Sequence, residues 1–337
     1  MSRLFSAAVI VAVAVGLVIL SWPQLFGLAR APLAAQVVSL RGLGIAVAVV
    51  LAVALTLIAL LARSARRFAA SLAVLLLAFG AINGVVLATR GFGSIAFETK
   101  SDASVTVLSW NTLGDAPGAE VIADLALQSG ADILTLPETT NETGIAIAEI
   151  MKAAGTPMWV YTVAYDQVSK ARSTTLLVSA ELGEYTVDES AETTAVLPTV
   201  VATPKDGTGP TIISVHTVAP IPPMMVVWQQ DLAWAAAACA GDNVIMAGDF
   251  NATLDHLGDI QHAPGATLGN CADAGLASDN AAVGTWPTAL PALLGAPIDH
   301  VMTTANWSVT GMRVIESVDG NGSDHRPLLV QLTPSGQ

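Results

Sequence analysis

The chain has 337 residues, enough for two domains of ordinary size, and its charge is divided very unevenly along them. From Ser101 onward lie 6 of the 14 Lys and Arg but 26 of the 27 Asp and Glu, so that part carries a net charge of −20 and the first hundred residues carry +7. Affinity for nucleic acid comes largely from Lys and Arg neutralising phosphates, so a domain this acidic is not expected to bind duplex DNA tightly.

Three runs free of charge open the chain, at residues 4–29, 42–62 and 68–89. Each has about the 20 residues that a helix needs to cross a bilayer. The first is longer than the apolar core of a cleaved signal peptide, and two more follow it, so three membrane-spanning helices are expected in residues 1–92. Arg63, Arg66 and Arg67 crowd the shortest loop and Arg3 precedes the first run. Cytoplasmic loops carry the excess of Lys and Arg, which places the N-terminus in the cytoplasm and everything after Arg90 outside the cell, in a multi-pass protein of the cell membrane. Arg30, Arg41 and Lys100 fall on the opposite side. Asn83 is the strongly polar side chain deep in a span, where packing between helices is its ordinary role. Without an acid or a His, the spans offer no ion path, which argues against a transporter or channel.

Residues 93–103 read as a linker and 104–337 as a soluble domain. There, short apolar runs rich in β-branched residues alternate with helical stretches: Val105–Trp110, Ile133–Leu136, Thr174–Ser179, Thr211–Val215, Val244–Ala247, Ile298–Thr303 and Leu328–Leu332 predict strands, and Ala119–Gln128, Gly144–Ala154 and Met224–Cys239 predict helices. The outcome is a mixed α/β domain in which strands outnumber helices. Cys239 and Cys271 allow a single internal pairing; an exported domain permits it, and no Cys/His ligand spacing surrounds either residue, so a disulfide is expected.

The polar residues most able to do chemistry flank these strands. Asn111 follows VTVLSW, Glu138 follows DILTLP, His216 follows TIISV, and Asp249 and Asn251 follow NVIMAG. Asp299 and His300 open one strand, and Asp324 and His325 precede another. Ligands collect at strand ends in α/β proteins, so these groups could meet in one cleft. In GDFN, Asp249 and Asn251 are two apart and face the same side of an extended chain, within reach of one phosphate or metal. Glu138 after a buried run suits an oxygen-liganded Mg²⁺, Mn²⁺ or Ca²⁺. In SDHRP, His325 beside a carboxylate suits a general acid or a phosphate ligand, and Asp299 of IDH could orient it. Singly, each is weak: an Asp-x-Asn turn, a solvated Glu and a lone His after a strand are all common.

In the order WN, PE, VHTVAP, GDFN, IDH, SDH, the motifs resemble those of the endonuclease/exonuclease/phosphatase superfamily across roughly Ser104 to Thr333. The resemblance implies a four-layer α/β/β/α sandwich with the site at one edge of its two sheets. It further implies Glu138, helped by Asn111, as the ligand of a divalent metal, Mg²⁺ or else Mn²⁺ or Ca²⁺. Asp249 would activate the attacking water and Asn251 would hold the phosphate. His325, paired with Asp299, would bind or protonate phosphoryl oxygens, Asp324 would orient nearby groups or share the metal, and His216 would contact the phosphate or the leaving oxygen. His300 is read as structural; Asp255 and His256 are near enough in sequence to line the cleft.

The implied activity is in-line hydrolysis of phosphodiester or phosphomonoester bonds. The charge near −20 favours a small substrate, a lipid headgroup, a sugar phosphate or loose single-stranded nucleic acid, with Lys170 and Arg172 as the basic pair best placed to face the site. Beside this enzyme reading stand an extracellular nuclease and a catalytically inactive surface module, the latter disfavoured because none of the expected groups is missing.

Overall fold

The computed structural model describes residues 3–93, 95–166, 168–188, 191 and 193–336. The uncharged runs form helices α1 (Arg3–Ser21), α3 (Arg41–Leu61) and α4 (Arg66–Arg90), each long and apolar enough to cross a membrane. Few of their side chains are buried, which is compatible with helices surrounded by lipid. A short helix α2 (Ala34–Ser39) precedes α3. The chain reverses after Leu61, where Arg66 Nε donates to the Ala59 carbonyl, satisfying one of the acceptors left free at the end of α3. Helices α1 and α3 both pack on α4.

The rest of the chain is built on β1 (Val105–Ser109), β2 (Ile133–Pro137), β3 (Met158–Ala164), β4 (Ser173–Ser179), β5 (Tyr185–Val187), β6 (Val200–Pro204), β7 (Thr211–His216), β8 (Val244–Asp249), β9 (Ala272–Asp273), β10 (Asp299–Thr303), β11 (Trp307–Val314) and β12 (Leu328–Pro334). These make two six-stranded sheets, ordered β11-β12-β1-β2-β4-β3 and β5-β6-β7-β8-β10-β9. Their inner faces pack together through Val107, Ile133, Leu176 and Val330 on one side and Val200, Ile212, Ile245 and Val301 on the other. Helices α5 (Gly118–Ser129) and α6 (Asn141–Ala153) cover the first sheet over Leu108, Leu134 and Leu177. Helix α7 (Met225–Ala238) covers the second over Ile213, Met246 and Met302. Central strands buried on both faces explain why their sequences are unbroken apolar runs.

The expected α/β/β/α layering is thus present, and all seven predicted strands and three predicted helices form. Five strands have no counterpart in the sequence reading: β3, β5, β6, β9 and β11. Four of them lie at or next to a sheet edge and are only partly buried, so their apolar spacing is diluted. The fifth, β9, is two residues long. Residues of the stretch read as a linker lie along β11: Glu98 N–H donates to the Thr310 carbonyl at 2.8 Å and the Phe97 ring rests where a Cβ on Gly311 would have to be. Cys239, at the end of α7, is bonded to Cys271, just before β9, as expected.

Asp255 and His256 do not line the cleft. They sit on α8 (Leu254–Leu257), buried against the N-terminal helices. The Asp255 carboxylate accepts from Arg41 Nε and Nη2 at 2.9 and 2.7 Å and from Arg90 Nη1 and Nη2 at 2.9 and 2.7 Å. Gln24 Nε2 adds a bond of 2.7 Å, and Arg41 also donates to the Ser21 carbonyl and to Asn83 Oδ1. One carboxylate therefore gathers the end of α1, the start of α3 and the end of α4. Burial alone would raise its pKa, but the hydrogen bonds and charges of the two guanidiniums outweigh that and hold it below the ordinary carboxylate range. His256 accepts the Thr253 N–H on Nδ1 at 2.9 Å and faces the Ala35 carbonyl with Nε2 at 3.2 Å. Burial pushes it down to about 4, which keeps the neutral tautomer that this pairing needs.

Replacing Asp255 by Ala leaves two guanidiniums buried without their shared counter-charge. The full chain in detergent should lose about 3–5 kcal/mol, read as a lowered thermal midpoint. A depressed folded pKa means that this contribution is intact above about pH 3.9, the value of an unfolded Asp, and is lost as pH falls through the folded value. A midpoint unchanged in Asp255→Ala would contradict the role given to this junction.

Candidate active site

Strand pairing brings the reactive groups to one edge. Parallel pairing of β7 with β8 sets His216 opposite Asp249, and antiparallel pairing of β8 with β10 sets Asp299 on its other side. In the facing sheet, β1 and β2 run parallel and β12 runs antiparallel to β1, so Asn111 and Glu138 leave two strand ends beside the point where His325 enters a third. Gly248 lets β7 approach at this point, because a Cβ there would collide with the Val215 carbonyl. Glu138 and Asn251 have φ of 58° and 46°, left-handed values that a non-glycine residue adopts at a cost and that cluster at functional sites.

The eight residues expected in the site are together. Asn111 Nδ2 bridges two carboxylates, donating to Glu138 Oε1 at 3.1 Å and to Asp249 Oδ2 at 3.0 Å, while its oxygen accepts the Leu113 N–H. Asn251 donates its backbone N–H to Asp249 Oδ1 at 2.8 Å, and its amide to the Thr217 carbonyl at 2.9 Å and to Asp249 Oδ2 at 3.2 Å. His325 Nδ1 pairs with Asp299 Oδ2 at 2.9 Å; its Nε2 lies 3.7 Å from Asp249 Oδ2 and 4.0 Å from Asp324 Oδ1. His216 Nε2 is 3.8 Å from Glu138 Oε1, and its Nδ1 is buried without a hydrogen-bond partner. His300 lies outside the cleft, held by Asp273 at 2.7 Å and the Ala252 carbonyl at 2.8 Å, a structural residue as read. Of the basic pair, Lys170 reaches Asp115, whose N–H bonds the Glu138 carbonyl, and Arg172 pairs with Asp166.

These environments separate the protonation states. Burial would lower the His325 pKa, but the carboxylates of Asp299 and Asp249 outweigh burial and push it well up, so the imidazolium persists at neutral pH. Burial raises the Asp249 carboxyl, with Asp299 adding to the rise, which brings it toward the range of a general base. Burial pushes His216 down to about 3, and the cation at His325 adds to it, so His216 is neutral. Burial also raises Glu138.

Other residues also hold the site: Trp110 and Ser323 lie within the WN and SDHRP motifs, whereas Trp286 and Thr285 carried no signal in the sequence. Trp286 Nε1 donates to Asp324 Oδ2 at 2.9 Å, and Thr285 Oγ1 accepts the Asp299 N–H at 3.2 Å. Trp110 Nε1 donates to the His325 carbonyl at 2.8 Å, while Ser323 Oγ links the Asn111 carbonyl at 2.6 Å to the His325 N–H at 3.0 Å. Trp286 and Asp324 are 38 residues apart, and neither belongs to a periodic pattern that would connect them.

A divalent cation fits this donor set. Among the described residues no Lys or Arg pairs with Glu138, Asp249, Asp299 or Asp324, whose ion-pair partners are His216 and His325. Asp299 Oδ1 and Asp324 Oδ1 are buried without a hydrogen-bond partner. Asp249, Asp299 and His325 place ligand atoms within 4.8 Å of one another. Since His325 is cationic and already committed to Asp299, the oxygen donors are the better ligands.

Carboxylates, amides and a charged imidazole converging at the edge of an α/β/β/α sandwich define a hydrolase of phosphoric ester bonds. The chain belongs to the Endonuclease/Exonuclease/phosphatase family, whose model matches residues 108–325. Its fold is similar to that of an endonuclease/exonuclease/phosphatase from Bacteroides vulgatus, at 16% identity and a TM-score of 0.51 over 70% of this chain and 100% of that one. It is also similar to D. rerio TDP2 humanized by 14 mutations, at 15% identity and a TM-score of 0.51 over 69% and 100% of the two chains. An endonuclease/exonuclease/phosphatase from Beutenbergia cavernae is 18% identical, with a TM-score of 0.50 over 69% of this chain and 72% of its own. No curated protein sequence matches the chain.

Asp299→Asn removes the carboxylate that holds His325 charged. The His325 pKa should then fall, so the alkaline limb of the pH–rate profile should move down by roughly 1–3 units. Rates measured from about pH 6 to about pH 10 in both proteins test this, and an unmoved limb would rule out His325 as the group that limits activity at high pH.

Proposed function

We propose that the protein is a membrane-anchored, divalent-metal-dependent phosphoesterase whose catalytic domain lies outside the cell, with residues 1–92 as anchor, 93–103 as linker and 104–337 as catalytic domain. The observation that carries the catalytic reading is the pairing of a raised-pKa Asp249 with a cationic His325 across one cleft, the latter clamped by Asp299 at 2.9 Å. Two groups with opposite proton tasks at one site are what hydrolysis needs. The cleft lacks no expected group, which counts against an inert surface module.

In this scheme Glu138, with Asn111 beside it, would hold Mg²⁺ or a similar ion, which supplies electrostatic stabilisation of the phosphoryl oxygens. Asp249 takes the proton of the attacking water as its oxygen bonds to phosphorus in line with the departing oxygen. Asn111 and Asn251 fix the Asp249 carboxylate through their N–H groups. Asn251 exchanges its 3.2 Å bond to Asp249 for a phosphate oxygen when substrate enters. His325 donates to the phosphoryl oxygens and can supply the proton that the leaving oxygen takes. Asp299 and Asp249 keep that imidazolium charged, with Asp324, held by Trp286, adding to them, and neutral His216 donates to the phosphate from Nε2 without adding charge.

Several features support the anchor and its direction. The start of α3 and the end of α4 meet at Asp255 on the catalytic domain, and Arg63, Arg66 and Arg67 occupy the other end of that hairpin. Arg3 begins α1, whose opposite end, Ser21, is bonded by Arg41. The Cys239–Cys271 disulfide suits an oxidising compartment. A reporter that is active only when exported, fused to the C-terminus, should be active; activity only of a cytoplasmic reporter would reverse this topology.

For the chemistry, the full chain in phosphatidylcholine nanodiscs should hydrolyse bis(4-nitrophenyl) phosphate with Mg²⁺ or Mn²⁺ and lose that activity in chelator. Asp249→Ala and His325→Ala should each lower kcat by roughly 10²–10⁴-fold. Turnover that ignores the metal, or that survives both substitutions, would remove the basis for this assignment.

A further inference from the structure

A cavity of about 320 Å³ lies between the N-terminal segment and the catalytic cleft. Its apolar walls are Leu40, the residue before α3, Pro220 and Ile221 after β7, and Ala296 and Ile298 ahead of β10. Two further walls belong to the catalytic cleft: Asn251, which bonds Asp249, and Trp286, which bonds Asp324. The volume is at the lower end of what small-ligand sites have, and such sites pair an apolar lining with a few placed polar groups.

The segment that leads into α2 and the nearby edge of the catalytic domain expose apolar side chains as well. In the connection between α1 and α2, Trp22, Leu25, Phe26 and Leu33 are 49–76% exposed. On the catalytic domain Ile221 and Leu293 are about half exposed, and the Leu293 backbone lies directly against Gly42 in the first turn of α3. Exposed apolar side chains with a Trp among them, at the end of long apolar helices, suit the boundary between water and lipid. The cavity thus joins two places of different chemistry: a phosphate-ester cleft and the end of a hydrophobic helix.

The geometry points to a membrane lipid phosphate ester as the substrate, its phosphate between Asn251 and Asp249 and its apolar chain in this cavity, entering from the bilayer beside Leu40. The inference rests on the phosphoesterase and anchor readings above. An occupant that fills both parts has to be amphiphilic. A nucleic acid fits less well, since bases are held on aromatic platforms beside basic grooves. Trp286 is the one aromatic wall of the cavity, its N–H is committed to Asp324, and the domain carries −20.

The test uses the full chain in phosphatidylcholine nanodiscs with Mg²⁺ or Mn²⁺ and two diesters that share a leaving group, methyl 4-nitrophenyl phosphate and octyl 4-nitrophenyl phosphate. The octyl ester should have a kcat/KM higher by at least about tenfold, which burial of roughly two methylenes supplies. Partition into the lipid also favours the octyl ester, so the deciding quantity is the octyl-to-methyl ratio in a variant whose cavity is filled. Ala219→Trp, at another wall of the cavity, should collapse that ratio severalfold, and Ile221→Asp should do the same by placing a charge there. Each ratio is internal to one protein and is independent of how much of it folds. As a readout free of turnover, octyl phosphate should bind the His325→Ala protein more tightly than methyl phosphate, and Ala219→Trp should remove that difference. Hydrolysis of both esters with the ratio unchanged in both cavity variants, or faster hydrolysis of a single-stranded oligonucleotide, would overturn the lipid assignment and leave the phosphoesterase standing. Failure to hydrolyse either ester would overturn the phosphoesterase reading itself.

Discussion

Pairing of β8 with its two neighbours is the constraint on which the site depends. Because β7 runs parallel to β8 and β10 antiparallel, a single register places His216, Asp249 and Asp299 in one row. A slip of one residue would turn every side chain of β8 to the other face of the sheet. Gly248 guards that register, since nothing larger fits against the Val215 carbonyl. The facing sheet adds Asn111, Glu138 and His325 from strands whose own registers are set by the shared core of Val107, Ile133 and Val330. Catalytic geometry here is a by-product of sheet packing, with Trp110, Thr285 and Ser323 locking the polar groups through hydrogen bonds.

A second constraint joins this domain to the hydrophobic helices. Asp255 is four residues beyond Asn251, and the loop that carries the amide bonded to Asp249 therefore runs directly into the junction with Arg41 and Arg90. A carboxylate buried between two guanidiniums is costly to bury and more costly to leave half-paired, so it fixes orientation more than it adds stability. The consequence is that the cleft is held at a set position relative to the ends of α3 and α4. A flexible tether alone would not bring Leu40 to a cavity shared with Asn251 and Trp286. Residues around Phe97 and Glu98 add to the same effect by lying along β11.

Much of the fold and nearly all of the site could be read from local patterns. Strands buried on both faces, such as β1, β2 and β8, have five or six consecutive buried residues, and so appear as apolar runs with the reactive residue just beyond. Edge strands are not legible, because β3 alternates too weakly and β11 is interrupted by a bulge at Thr310, between Val309 and Gly311. Asp255 and His256 were misplaced for a related reason: proximity in sequence to GDFN says nothing about the side of the loop they face, and their partners Arg41, Arg90 and Ala35 are 165 to 221 residues away.

The sequence by itself determined the three uncharged runs, the division of charge and the ordered motifs, because hydrophobic length, composition and strand-end polarity are local properties. It also singled out the polar residues that the structure brings together at one sheet edge. The pairing of Asp299 with His325, expected from the motifs, is present, but that Asn111 and Asn251 share Asp249 and that Trp286 holds Asp324 were decided only by the tertiary structure. It alone decided that the hydrophobic helices end against the catalytic loop, with an apolar cavity opening between the two. Those features are contacts between segments far apart in the chain, and no local pattern encodes which distant surface a given side chain will meet.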